Sequence, residues 1–152
     1  MTEQTMCNDL LISERLRQSD MPDLGPEYHK ALLIRAVERR LLSLCSEGKL
    51  FGTVHTCIGQ ELSGVAVART LRDGDVVFSN HRCHGHFLSL TDDVEGLIAE
   101  IMGKRGGVCG GRGGSQHLCA ENFFSNGIQG GIVPVSAGIA VANPAPSTTS
   151  AG

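Results

Sequence analysis

From residue 103 to residue 115 the chain reads Gly-Lys-Arg-Gly-Gly-Val-Cys-Gly-Gly-Arg-Gly-Gly-Ser, and Gln116 and His117 follow at once. Seven of these thirteen residues are glycine. Glycine costs more backbone entropy on folding than any other residue and supplies no packing. A dense tract between ordered-looking segments therefore marks tight turns or a close approach of backbone to another group. Here it lies between an amphipathic run and a Gly/Ile/Val stretch, with His81, His84, His86 and His117 close in sequence. The tract reads as a ligand-handling surface, with a flexible linker as the alternative.

The remainder of the chain sets the frame. At 152 residues it suffices for one hydrophobic core. Aromatic residues make up 4% and Trp is absent, so Leu, Ile, Val and Ala must do the packing. The net charge of −3, with bases and acids interspersed, argues against a nucleic-acid-binding surface. A local Arg/Lys site for phosphate remains open. The N-terminus lacks the basic start and apolar run of a secretory signal, and no apolar stretch reaches membrane-spanning length. The six cysteines then read as reduced thiols of a cytoplasmic protein, with no membrane partner.

Pro22, Gly25 and Pro26 separate an N-terminal arm, residues 1–26, from a helix over 27–46. In that helix Ala31, Leu33, Ile34, Val37, Leu41, Leu44 and Cys45 recur at intervals of three and four. A second helix is predicted from about Gln60 to Arg72, with Leu62, Val65, Ala66, Ala68 and Leu71 inward. Val76 to Phe78 is a short strand candidate. Helices follow over 84–90 and 94–102, the latter capped by Asp92 or Asp93. Small and apolar residues from Gly130 to Ala142 predict a buried helix packed closely on a neighbour. Residues 143–152 carry no charge and two prolines, and read as a disordered or truncated tail. With a single strand candidate, the chain is either mostly helical or a piece of an α/β domain.

Three blocks carry chemistry: Gly52-Thr-Val-His55 with Gly59-Gln60-Glu61, Asn80-His-Arg-Cys-His-Gly85, and Gly111-Arg-Gly-Gly-Ser-Gln-His117. An arginine can grip phosphate with two nitrogens, glycine-rich N–H groups can form an anion nest, and histidines near a carbonyl can move protons. A zinc site from His81, Cys83, His84 and His86 is disfavoured because no Cys-x-x-Cys pairing accompanies them. Glu61 reads as structural, and His84 as an organiser of its loop.

In order and spacing, these blocks resemble the alpha subunit of the E1 component of thiamine-diphosphate-dependent 2-oxoacid dehydrogenases of the two-subunit type. That group includes the pyruvate, branched-chain and acetoin enzymes, and the resemblance spans about residues 27–142. It implies an α/β chain: the N-terminal part of a thiamine-diphosphate-binding fold, mostly helical, with an incomplete parallel sheet. It implies that His55 is the catalytic residue meeting substrate or intermediate. His81 and Arg82 would hold the cofactor diphosphate, His81 standing where the family has Tyr. Ala120 would line the cofactor site, while Gly127 and Gln129 would touch the aminopyrimidine through backbone. Gln116 replaces the family's Met. The family's Gly-Asp-Gly and Asn, which bind Mg2+, are absent, so metal ligands are expected beyond this chain.

The implied partners are an E1 beta subunit, in an alpha2beta2 heterotetramer, and a lipoyl-bearing E2. The implied activity is oxidative decarboxylation of a 2-oxoacid, or acetoin cleavage, with acyl transfer to the lipoyl group. The 152-residue chain alone is expected to be inactive and to bind thiamine diphosphate weakly or not at all. The rival reading is a truncated, noncatalytic alpha-like chain acting only in subunit interaction, or a gene fragment without independent function.

Overall fold

The computed structural model describes residues 23–50 and 52–143. Most of the expected arm and all but one residue of the expected tail thus lie outside the described residues. The chain forms a mostly helical α/β structure around a small mixed sheet.

Helix α1, Gly25–Ser46, starts with Pro26 in its first turn, where a missing N–H costs nothing. Its buried stripe is Ala31, Ile34, Val37, Glu38, Leu41 and Leu44, a three-to-four periodicity with one carboxylate inside it. Leu33 and Cys45 lie off the stripe and are exposed.

Helix α2, Glu61–Thr70, turns a different face inward from the one its pattern suggested. Glu61, Gly64 and Val65 are buried, Leu62 and Ala66 are exposed, and Ala68 and Leu71 are half-buried. The cause is close packing on helix α3, His84–Thr91. A Cβ at Gly64 would stand 2.9 Å from the Gly85 carbonyl carbon, so the helices meet backbone to backbone at that point. A short face can approach this closely, and a Leu-bearing one cannot.

Helix α4, Val94–Ile101, is capped by Asp93, whose carboxylate accepts the Gly96 N–H at 2.7 Å. Its Leu97 and Ile101 join Phe87 and Leu88 of α3 in the core. Each such fully buried side chain contributes about 1.5–3 kcal/mol.

The strand candidate appears as β1, Val77–Ser79. Two further strands, β2 (Cys119–Ala120) and β3 (Phe123–Ser125), carry too few residues to show a periodicity. The order is β1-β3-β2, with β1 and β3 parallel and β2 antiparallel to β3. Phe123 packs edge-on against Phe87 with ring centroids 5.6 Å apart, locking sheet to helix.

Helix α5, Val133–Ala142, departs from expectation. It forms, but none of its residues is buried, and Val133, Val135 and Val141 are exposed. Its small apolar composition specifies a helix made for covering, and among the described residues nothing covers it.

Candidate functional site

The carboxyl ends of the parallel strands β1 and β3 point the same way. Ser79 pairs with Ser125, and the next residues, Asn80-His81-Arg82 and Asn126-Gly127-Ile128-Gln129, leave the sheet on one rim. In open sheets with parallel strands this rim is where ligands bind. The Asn126 N–H donates to the Ser79 carbonyl at 3.2 Å, extending the ladder into the loops.

His55 reaches this rim from the loop between α1 and α2. Its ring meets His81 edge to face, with centroids 5.1 Å apart and planes at 86°. His81 Nδ1 is buried and has no hydrogen-bond partner, an unmet polar atom beside the candidate catalytic residue. The Arg82 N–H is turned by Asn80, whose side-chain oxygen accepts it at 2.8 Å, and one guanidinium nitrogen donates to the Thr56 carbonyl. No carboxylate among the described residues pairs with Arg82, so its charge is open to an anion.

A buried polar network lies beneath the rim. His84 Nδ1 is 2.9 Å from Glu38 Oε1, and its Nε2 is 2.9 Å from the Ser115 carbonyl and 3.0 Å from Ser115 Oγ. Glu38 Oε1 also accepts the Cys57 N–H and thiol, each at 3.1 Å. Burial pushes the Glu38 carboxyl up, but the His84 hydrogen bond and charge and the Cys57 bonds outweigh it and hold it below its ordinary value. Burial, with the Glu38 carboxylate alongside, drives the Cys57 thiol well above the usual range. Both effects disfavour the thiolate, the form in which a cysteine acts as a nucleophile.

Glu61 braces the far side of the same loop. Arg35 donates to both its oxygens, Nη2 to Oε2 at 2.9 Å, and the Gly59 N–H reaches them at 3.0 and 3.1 Å. The Arg35 hydrogen bond leads in lowering the Glu61 carboxyl to about 2, burial notwithstanding.

The glycine-rich loop holds an anion of its own. Fully buried Glu100, on α4, accepts N–H groups from Cys109 at 2.7 Å, Gly111 at 2.8 Å, Gly113 at 2.6 Å and Gly114 at 3.3 Å. The expected nest therefore exists, but four of its donors are already spent on an internal carboxylate, and those N–H groups are not available to phosphate. Burial alone would raise the Glu100 carboxyl; the four N–H groups prevail and lower it. Gly111, at φ +76°, also needs the space: a Cβ there would come within 2.5 Å of the Gly103 carbonyl carbon.

His55, His81, Arg82 and Gly127 are brought to one rim. Gly127 sits under the Gln116 side chain, whose amide oxygen a Cβ at Gly127 would strike, and Gln116 Nε2 donates to Thr53 Oγ1 at 3.1 Å. Gln129 is exposed and needs no buried partner. Ala120 stands apart. It pairs with Phe123, at the Val77 end of the sheet, and lines a groove of about 510 Å³ with Arg72, Asp73 and Asp75. Sequence reading missed Glu38 and Glu100, and gave Ser115 no role within its block. The one available signal was a carboxylate at a core position of each amphipathic helix, a residue type seldom buried without partners.

Comparison with known proteins agrees with the motifs. Residues 29–151 match the Dehydrogenase E1 component family. The alpha subunit of acetoin:2,6-dichlorophenolindophenol oxidoreductase from Bacillus subtilis is 40% identical over 117 residues, covering 75% of this chain and 35% of that protein. The mitochondrial pyruvate dehydrogenase E1 component subunit alpha of Kluyveromyces lactis is 35% identical over 133 residues, covering 87% of this chain and 32% of that one. The corresponding subunit of Rhizobium meliloti is 37% identical over 119 residues, at 76% and 34% coverage. The chain spans about a third of the length of these curated relatives. No helix among the described residues is long and apolar enough to cross a membrane. On sequence and motif order together, this chain belongs to the dehydrogenase E1 component family.

Proposed function

We propose that this chain contributes the diphosphate-gripping face of an E1-type alpha subunit, acting in the cytoplasm with a beta subunit on a 2-oxoacid or acetoin. The observation that carries the reading is the meeting of the His55–His81 pair and a carboxylate-free Arg82 at the carboxyl ends of two parallel strands. The unmet His81 Nδ1 and the open Arg82 charge fit the anionic end of thiamine diphosphate. The backbone at Gly127 and Gln129, on the same rim, suits the edge of its aminopyrimidine. Thiamine diphosphate would be accompanied by Mg2+, for which the family's Gly-Asp-Gly and Asn ligands are expected outside this chain.

Nucleophilic attack on the carbonyl and an electron sink for carbon–carbon cleavage are what thiamine diphosphate supplies when bound. The chain's own part is binding and charge control. Arg82 would neutralise phosphate oxygens while tying the His55 loop through Thr56. His55 would donate a hydrogen bond to oxygen charge developing on the substrate. The acyl group would pass to a lipoyl group on an E2 partner, with the alpha and beta subunits in an alpha2beta2 tetramer.

Calorimetric titration of thiamine diphosphate with Mg2+, into this chain alone and with a beta subunit of an acetoin or pyruvate enzyme, tests the reading. Binding is expected only with the partner, weakened at least tenfold by Arg82→Ala. No heat with any beta subunit would overturn the reading. Tight binding indifferent to Arg82→Ala would remove the role given to Arg82.

A further inference from the structure

We propose that Glu38 and His84 are positioning residues that fix where His55 stands, acting through Ser115. The inference rests on His55 being the residue that meets substrate.

His84 Nε2 lies 2.9 Å from the Ser115 carbonyl oxygen, which can only accept, so Nε2 carries a hydrogen. Glu38 Oε1 faces three groups, the Cys57 N–H, the Cys57 thiol and His84 Nδ1. That one oxygen accepts from the Cys57 N–H and thiol and lies within hydrogen-bond distance of Nδ1, so both ends of the His84 ring are engaged. Glu38 and His84 are fully buried in this pocket. Nε2 also lies 3.0 Å from Ser115 Oγ, and that hydroxyl accepts the His55 backbone N–H at 3.4 Å.

The outcome is a line of four groups from α1 to the loop: Glu38, His84, Ser115 and the His55 amide. Glu38 reaches the loop a second time through the Cys57 N–H. Between these two points, Arg82 takes the Thr56 carbonyl. Three consecutive residues, His55, Thr56 and Cys57, therefore each have a backbone group tied to a side chain of another element. Freedom at His55 is reduced to its own side-chain torsions, the condition for a pre-organised site. Glu38→Gln keeps the size of the side chain and one accepting oxygen but removes the charge. It therefore separates charge from packing.

The test uses NMR on the full 152-residue chain. Ser115→Ala should raise hydrogen exchange at the His55 amide about five- to tenfold, the loss of one hydrogen bond, and Ser115→Thr, which keeps the hydroxyl, should restore it. Glu38→Gln should shift the His84 ring signals and, through Ser115, the His55 ring signals. Unchanged His55 exchange and ring signals in Ser115→Ala and Glu38→Gln would overturn the proposal. Should Glu38→Gln not fold, the Ser115 pair of variants decides alone. None of these readouts requires cofactor. A chain that shows the pattern yet binds no thiamine diphosphate with any beta subunit overturns the proposed function and leaves the positioning line standing.

Discussion

Glu38 Oε1 on α1 and His84 Nδ1 on α3 lie 2.9 Å apart, and neither side chain is exposed to solvent. Breaking such a pair from one side leaves an uncompensated buried group. Glu38→Ala should therefore destabilise the fold by roughly 3–5 kcal/mol. Urea unfolding, read as a lower midpoint at unchanged slope, measures it. A cost below about 1 kcal/mol would show that the buried pair does not hold α1 to α3.

Glu100 serves two N–H groups with each oxygen: Cys109 and Gly111 on Oε2, Gly113 and Gly114 on Oε1. In Glu100→Gln, whichever way the amide turns, its NH2 group faces two backbone donors. The expected loss is about 2–3 kcal/mol, with faster amide exchange concentrated in residues 109–114. Exchange rising evenly along the chain would contradict the role given to Glu100.

Two neighbouring glycines should respond differently to alanine. Gly110 has φ +67° and open space around its Cβ position, whereas Gly111 has φ +76° and would collide with the backbone of Gly103 and Lys104. Gly110→Ala should cost about 1–2 kcal/mol, the left-handed penalty alone. Gly111→Ala adds displacement of a packed backbone and should cost roughly 3 kcal/mol or more. Thermal melts of the two variants give the comparison, and equal shifts would refute it.

Acid should unfold this chain through a small set of carboxylates. Glu38, Glu61 and Glu100 are each depressed in the folded state, Glu61 to about 2. A depressed carboxylate stabilises above its unfolded value of about 4.3, and that stabilisation is lost as pH falls through the folded one. Stability should therefore fall slightly below about pH 6.5, where burial holds His86 under its unfolded value, and more steeply from about pH 4.3 toward pH 2. Circular dichroism along an acid titration checks this, and Glu61→Gln should flatten the lower part of the curve. Stability unchanged down to pH 2 would contradict the roles given to these carboxylates.

Helices α1 and α4 were legible because each places apolar residues at three-to-four spacing between identifiable stops, whereas α5 was read from its composition alone. Pro26 and Asp93 mark two of the starts. Strands β2 and β3 were not, because two- and three-residue segments carry no period. The inward face of α2 was misread for a related reason. Hydrophobicity favoured Leu62, but contact with Gly85 required the smallest residue, Gly64. The rim residues His55, His81 and Arg82 were legible as motifs. Their support was not, since Glu38 and Ser115 are 77 positions apart in the chain and meet only through His84.

The sequence by itself determined the family, the helical segments and the glycine tract's need for turns, because local spacing and residue order carry that information. Tertiary structure alone decided what the glycine tract binds. Its N–H groups turn inward to Glu100, since a buried carboxylate and buried backbone donors must satisfy each other where water cannot reach. It also supplied the partners of His84, read from sequence only as an organiser of its loop: buried Glu38 on α1 and Ser115 of the glycine tract, while His81, with its unmet nitrogen, stands beside His55.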